Sequence, residues 1–322
     1  MNMHLFKKTL GVLLITLLSA CGGGGGGGSA SNGGIGGTGV ATGPITGFGS
    51  VFVNGIEFDT SGNIQITLDG EPNHSQSDLK IGQVVTIKGT ISDDGTKGTA
   101  TSIEFEDDVE GPVQSIDLAT NTIVVLGLTV QATATTVFDG FASLAALAVN
   151  DIVEVSGLPD ATGKIVATHI EKHSNYVAGT EIEVKGMIAN LTATTFTIGT
   201  LTVDYSLVLP QDRPATLSNG LFVEVKANTL PDPITGVLTA TKVEVEDEDE
   251  GAVEGNELDL EGFVTDFVSA TEFKVNGQAV TTNFQTSYEH GVAADLANNV
   301  RVEVEGRLTG GVLVAEEISF ED

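Results

Sequence analysis

From about residue 44 onward, apolar residues alternate with polar ones in short runs broken by turn residues, the period-two signature of half-buried strands. The pattern is clearest around four two-residue turns. Val51, Val53, Ile56 and Phe58 flank Asn54-Gly55, and Ile123, Val125, Leu128 and Val130 flank Leu126-Gly127. Phe196, Ile198, Leu201 and Val203 flank Gly199-Thr200, and Phe273, Val275, Gln278 and Val280 flank Asn276-Gly277. A two-residue turn sets these positions opposite one another on one face, and all but Gln278 are apolar. The alternating neighbours Glu57, Thr129, Thr197, Thr202 and Lys274 are polar, so the other face reads as wet. Asn-Gly suits the type I′ turn that matches strand twist.

The hairpins belong to a repeat. One signature runs Leu79, Gly82, Val85, Ile87, Gly89 and recurs with the same spacing as Leu147, Asn150, Val153, Val155, Gly157. It returns as Leu217, Gly220, Val223, Val225, Ala227 and as Leu296, Asn299, Val302, Val304, Gly306. Each copy is followed by Ala-x-x-[Ile/Val]: Ala100 with Ile103, Ala167 with Ile170, Ala240 with Val243, Ala315 with Ile318. The last three units open on Gly111-x-Val113, Gly186-x-Ile188 and Gly262-x-Val264; for the first, Gly47-x-Gly49 reads as the variant. Such repetition predicts tandem modules. Each should hold five short strands, with a short helix or turn before the fourth, as at residues 143–147. The expected fold is all-β: four small five-stranded OB-like barrels at residues 44–108, 109–178, 179–250 and 251–322. Modules this small are marginal alone, which favours packing between neighbours. The acidic linkers argue for partial independence.

A leader precedes the modules. Lys7 and Lys8 come before an apolar run at residues 10–18, too short to span a bilayer, and the run ends in Leu18-Ser19-Ala20-Cys21. This resembles a bacterial lipobox. The resemblance implies a signal peptide at residues 1–20 and lipidation of Cys21, and Gly22 rather than aspartate favours the outer membrane. Cys21 is the chain's one cysteine, so no internal disulfide forms. Residues 21–43 are glycine-rich and read as a flexible tether reaching roughly 25 Å. Gly34, Gly36 and Gly39 satisfy G-x-G-x-x-G, but no strand precedes them and no helix follows, so a dinucleotide site is not expected.

Two stretches carry a family resemblance: Gly47-Phe48-Gly49-Ser50-Val51-Phe52-Val53-Asn54-Gly55, and residues 103–113 from Ile103 through Gly111-Pro112-Val113. They resemble the domain-of-unknown-function family DUF5666, repeat modules of exported bacterial proteins that are often lipoproteins. The resemblance spans residues 44–322 and is strongest in the first unit; the third and fourth lack Gly-Phe-Gly-Ser. It implies the modular architecture and carries no activity.

Charge narrows the partners. The formal charge is −30, and losing Lys7 and Lys8 with the leader takes it to −32. A nucleic-acid partner is excluded, since phosphate binding needs a basic surface. Lying flat on anionic lipid is disfavoured, so the lipid on Cys21 is the expected membrane contact. Divalent cations and cationic partners remain. Acids gather at Glu104, Glu106, Asp107, Asp108 and Glu110, and at Glu244, Glu246, Asp247, Glu248, Asp249 and Glu250. The second group, from Glu246 to Glu250, is the candidate calcium junction, although Ala252 and Leu258 stand at the sixth and twelfth EF-hand positions. A solvated linker is the plainer reading.

His169, Glu171 and His173 are expected to point outward on one strand face, about 7 Å apart. Two imidazoles and a carboxylate suit zinc or copper. The equivalent face elsewhere carries Ser102, Glu104 and Glu106, so wet surface is again the plainer reading. No G-x-S-x-G elbow exists, and with no Trp and three Tyr an aromatic binding platform is not expected. The leading expectation is a non-enzymatic, lipid-anchored binding or structural array without a cofactor. A calcium-binding envelope protein comes second and an enzyme of unrecognised type third. The sequence names no protein or glycan partner.

Overall fold

The computed structural model describes residues 37–92, 94–173, 176–246 and 253–321. The leader, Cys21 and the acids Asp247, Glu248, Asp249 and Glu250 lie outside the described residues.

Module 1 consists of β1 (Gly37–Phe48), β2 (Val51–Val53), β3 (Ile56–Asp59), β4 (Gln65–Leu68), β5 (Glu71–Pro72), β6 (Val84–Ile91) and β7 (Lys97–Phe105). β1, β2 and β3 form an antiparallel meander, β3 runs parallel to β7, β7 pairs with β6, and β6 returns to β1. That circuit is a closed five-stranded barrel, in which β4 pairs with β7 beyond β3 and places Ile66 in the core, and β5 pairs with β4. Module 2 repeats the circuit with β8 (Val109–Asp117), β9 (Thr122–Val125), β10 (Leu128–Asp139), β11 (Ile152–Pro159) and β12 (Ile165–Lys172).

Module 3 has β13 (Ile182–Met187), β14 (Thr195–Ile198), β15 (Leu201–Asp204), β16 (Phe222–Ala227), β17 (Val237–Thr239) and β18 (Lys242–Val245). Its closing strand is split into β17 and β18. Module 4 has β19 (Glu257–Ser269), β20 (Glu272–Val275), β21 (Gln278–Thr281), β22 (Ser287–Glu289), β23 (Arg301–Thr309) and β24 (Val312–Phe320). The expected short helix is a single 3₁₀ turn before the fourth barrel strand in modules 1, 2 and 4.

The hairpin faces point inward as expected: all sixteen positions, Gln278 included, are at most 7% exposed. Gln278 Nε2 donates to the carbonyls of Ala279 and Gly311, while its Oε1 is buried without a hydrogen-bond partner. Asn54-Gly55 and Asn276-Gly277 take positive φ at both turn residues, and Leu126-Gly127 does so with a buried leucine in the left-handed region.

Hydrogen bonding explains the repeat signature. Its Gly/Asn position is left-handed in every module: Gly82, Asn150, Gly220 and Asn299 have φ of 87°, 73°, 83° and 69°. The four N–H groups donate to the carbonyls of Ile45, Val113, Ile188 and Val264, at 2.8, 2.8, 2.8 and 2.9 Å. Only residues that tolerate positive φ make this turn without strain. The last position, Gly89, Gly157 or Gly306, sits where the register shifts in modules 1, 2 and 4. This bulge puts Ala and Ile three residues apart on the same inward face, which strict alternation forbids. In module 3 Ala227 replaces the glycine, and the strand break supplies the offset.

The same bonds correct the reading of module 1. Ile45 is equivalent to Val113, Ile188 and Val264, so the opening glycine is Gly43, not Gly47. Gly43 lies under the Asn54 side chain as Gly262 lies under Asn276. A bulge between Ile45 and Gly47 displaces the Gly47-x-Gly49 copy from the pattern. Part of the stretch read as tether is strand. Residues 37–43 are the first half of β1, because this stretch pairs with β6 from Gly37 to Gly43 and with β19 from Gly39 to Thr42.

The modules are not spaced apart. β1 pairs in parallel with β19, and β8 pairs with β13, so modules 1 and 4 share one sheet while a second sheet crosses modules 2 and 3. Modules 2 and 3 also share one apolar core.

Candidate functional site

The chemistry of the molecule lies in the seams between barrels. Where β8 meets β13, the register sets Glu183 opposite Glu110 and Val184 opposite Val109. Two carboxylates facing each other repel, and burial sharpens the conflict. Two lysines partly resolve it. Lys185, on β13, contacts Glu106 and lies 3.9 Å from Glu224 and 3.8 Å from Glu246. Lys226, on β16, lies 2.7 Å from Glu183, 3.4 Å from Glu224 and 3.6 Å from Glu181. Burial opposes charge on both lysines, but the surrounding carboxylates outweigh it and raise both pKa values.

The acids outnumber these cations. Burial pushes the Asp69 carboxyl up to about 6 and those of Asp108, Glu110 and Glu224 up to about 7. Asp107 is pushed well above the ordinary range, by burial first and then by Glu183 beside it. One carboxylate oxygen each from Asp69, Asp107 and Glu183 lies within 4.8 Å of the others. Asp69 Oδ1 accepts the Asp107 N–H at 3.1 Å. Asp107 Oδ1 and Glu183 Oε1 are buried without a hydrogen-bond partner. Three hard oxygen donors, two of them otherwise unsatisfied, fit an ion such as calcium that takes carboxylate and water oxygens.

Beside this triad is a cavity of about 610 Å³ reached by all four modules. Val40, Leu128, Leu158, Ile198, Leu258 and Leu260 contribute apolar wall. Glu106, Asp107, Asp160 and Asp266 place acids around it, with Lys185 and Lys274 as the basic groups.

The seam between modules 1 and 4 has its own acid cluster. Asp259, Glu303 and Glu305 bring carboxylate oxygens within 4.8 Å of one another. Asn54 donates from Nδ2 to Asp259 Oδ1 at 2.9 Å, joining the two modules, while Asp259 Oδ2 has no hydrogen-bond partner. Burial first, then Glu303 and Glu305, raise the Asp259 pKa; Glu303 is pushed up to about 8.

The Domain of unknown function (DUF5666) model matches residues 38–104, 110–171, 185–244 and 261–319. The chain belongs to the DUF5666 family. Each match covers one barrel, and the first includes nearly all of the β1 segment read as tether. A search of curated proteins finds no match.

Within these DUF5666 modules, the residues proposed from sequence separate. His169 is not outward: it is 1% exposed, covered by module 1, and its Nδ1 lies 2.8 Å from the Ile81 carbonyl oxygen. His173 instead contacts Glu154 at 3.2 Å; that hydrogen bond outweighs burial and lifts its pKa to about 9. Glu171 sits between them, grouped with Asp139 and His169 on one side and with Glu154 and His173 on the other. Glu246 turns toward Lys185 rather than extending as solvated linker. Asp69, Asp139 and Glu183 were missed. A signal for Glu183 was present: Asp108, Glu183 and Asp259 each stand three residues before the opening glycine of their module.

Proposed function

We propose that this DUF5666 chain is a lipid-anchored, non-enzymatic binding array of the cell envelope whose ligand is a divalent cation of the calcium type. The membrane assignment rests on the leader and the Leu18-Ser19-Ala20-Cys21 box, with Gly22 favouring the outer membrane. One observation carries the cation reading: Asp107 Oδ1 and Glu183 Oε1 are buried without partners in a three-carboxylate cluster. Burying such oxygens unpaired costs several kcal/mol by general experience, so they call for a proton or a cation. The −32 charge of the mature chain, left when the two leader lysines are removed from −30, favours a cation at neutral pH.

The test is thermal unfolding of the full-length protein in rising calcium, beside the Asp107→Asn/Glu183→Gln double variant. Calcium at a hundred times its dissociation constant adds about 2.7 kcal/mol to a native state that alone binds it. The wild-type midpoint should rise and that of the variant should not. A wild-type midpoint unchanged at millimolar calcium rejects the reading.

A second reading is favoured by the cavity of about 610 Å³, a size that suits small ligands. Its apolar walls and surplus of acids match a small organic cation. Of the carboxylate triad only Asp107 lines it, so such a ligand would share that one acid with the cation site.

A further inference from the structure

β10 and β12 run side by side in parallel, pairing Val137 with His169 and Asp139 with Glu171. Same-face positions along a strand recur every second residue, so His169, Glu171 and Asp139 gather on one face. A ring nitrogen of His169 and one carboxylate oxygen from each acid lie within 4.8 Å of one another.

Module 1 determines how the imidazole is used. The loop at residues 79–84 lies on module 2: Gly82 approaches the Thr168 carbonyl so closely that a Cβ there would stand 2.5 Å from its oxygen. The Val84 N–H donates to Ser156 Oγ at 2.9 Å. Beside these contacts the Ile81 carbonyl oxygen meets His169 Nδ1 at 2.8 Å. A carbonyl only accepts, so Nδ1 carries the hydrogen, and the neutral ring keeps its lone pair on Nε2. His169 Nε2 is buried and has no hydrogen-bond partner. An imidazole oriented by a backbone carbonyl on one nitrogen, with the other left over, is the usual arrangement of a metal-ligating histidine.

We propose that Asp139, His169 and Glu171 form a site for a zinc-type divalent transition metal, with His169 Nε2 as its nitrogen ligand. One imidazole and two carboxylates suit such an ion, and water completes a tetrahedral set. The donors need to close only to the roughly 3.4 Å that separates neighbouring ligands around tetrahedral zinc. Lys80 now stands 3.5 Å from Asp139 Oδ2, but both side chains are more than 40% exposed, so this pair yields readily. His173 is not a ligand of this set: its Nε2 is engaged by Glu154 at 3.2 Å. Because Ile81 orients the ring, the metal site depends on the seam between modules 1 and 2.

Zinc titration of the full-length protein by calorimetry tests this, with His169→Gln, Asp139→Asn and His173→Gln alongside. Expected are a site of unit stoichiometry, at least tenfold weaker binding in His169→Gln and in Asp139→Asn, and wild-type affinity in His173→Gln. Asp139 is partly exposed, so its variant keeps the test valid if His169→Gln fails to fold. Millimolar calcium should leave the zinc affinity unchanged, which separates this site from the carboxylate triad. Wild-type affinity in Asp139→Asn, or a tenfold loss in His173→Gln, overturns the proposal; the second result would move the site to Glu154, Glu171 and His173. Zinc displaced by calcium would likewise overturn it.

Discussion

The inside of each barrel and the seams between barrels obey opposite rules. Inside, Val51, Val53, Ile56 and Phe58 and their equivalents are nearly inaccessible and, apart from Gln278, apolar. At the seams the buried residues include Asp107, Glu183, Glu224, Asp259 and Glu261. Both regions hold buried side chains, but one excludes charge and the other accumulates it. The two seams also differ from each other. The one joining modules 1, 2 and 3 places Lys185 and Lys226 among its acids. The one joining modules 1 and 4 sets the amide of Asn54 against Asp259, with Arg301 held to Glu261. A barrel face that alternates as if solvated therefore becomes an interface once a second barrel covers it, and each seam solves the resulting charge problem with different residues.

The largest expected effect comes from removing the cation that joins three acids. Lys185→Met leaves Glu106, Glu224 and Glu246 without it, and should cost about 3–5 kcal/mol in chemical denaturation. A loss under 1 kcal/mol would mean that the seam behaves as ordinary surface. Gly82→Ala should come next, at about 2–3 kcal/mol, because φ is +87° and the new Cβ would press on the Thr168 carbonyl. Its expected companion is weaker zinc binding, since the same loop orients His169. The smallest effect has the opposite sign. Asp259→Asn keeps an acceptor for Asn54 and removes repulsion from Glu303 and Glu305, so it should stabilise by about 1 kcal/mol at pH 8 and hardly at all at pH 5. Destabilisation at pH 8 would show that the Asp259 charge is needed.

Much of the barrel was legible in the sequence. Period-two alternation and two-residue turns identified all four hairpins, since each depends on residues close in sequence. The signature spacing was legible too, but its cause was not: the Gly/Asn position serves a left-handed turn whose partner, as for Gly82 and Ile45, lies on another strand. Gly47 was mistaken for Gly43 because both are glycines shortly before the first hairpin, and only the bond from Gly82 to Ile45 separates them. The seams were illegible for a physical reason. Strand alternation says which face leaves the barrel, not what meets it, and Asn54 and Asp259 are 205 residues apart. His169 carried the right chemistry in sequence, but its burial comes from Ile81 of another module.

The central claim is that buried seam carboxyls need either a proton or a cation. Their pKa values in the folded protein lie above those of unfolded carboxyls, near 6 for Asp69, 7 for Asp108, Glu110 and Glu224, and 8 for Glu303. The folded chain therefore binds more protons than the unfolded chain between about pH 4 and 8, and stability must fall as pH rises through that window. The most direct measurement is the melting midpoint of the full-length protein from pH 5 to pH 8, with and without millimolar calcium. The account predicts a midpoint that declines toward pH 8 without calcium and is restored there by calcium, with little response at pH 5. A midpoint that holds level or rises toward pH 8 in the absence of calcium would contradict it.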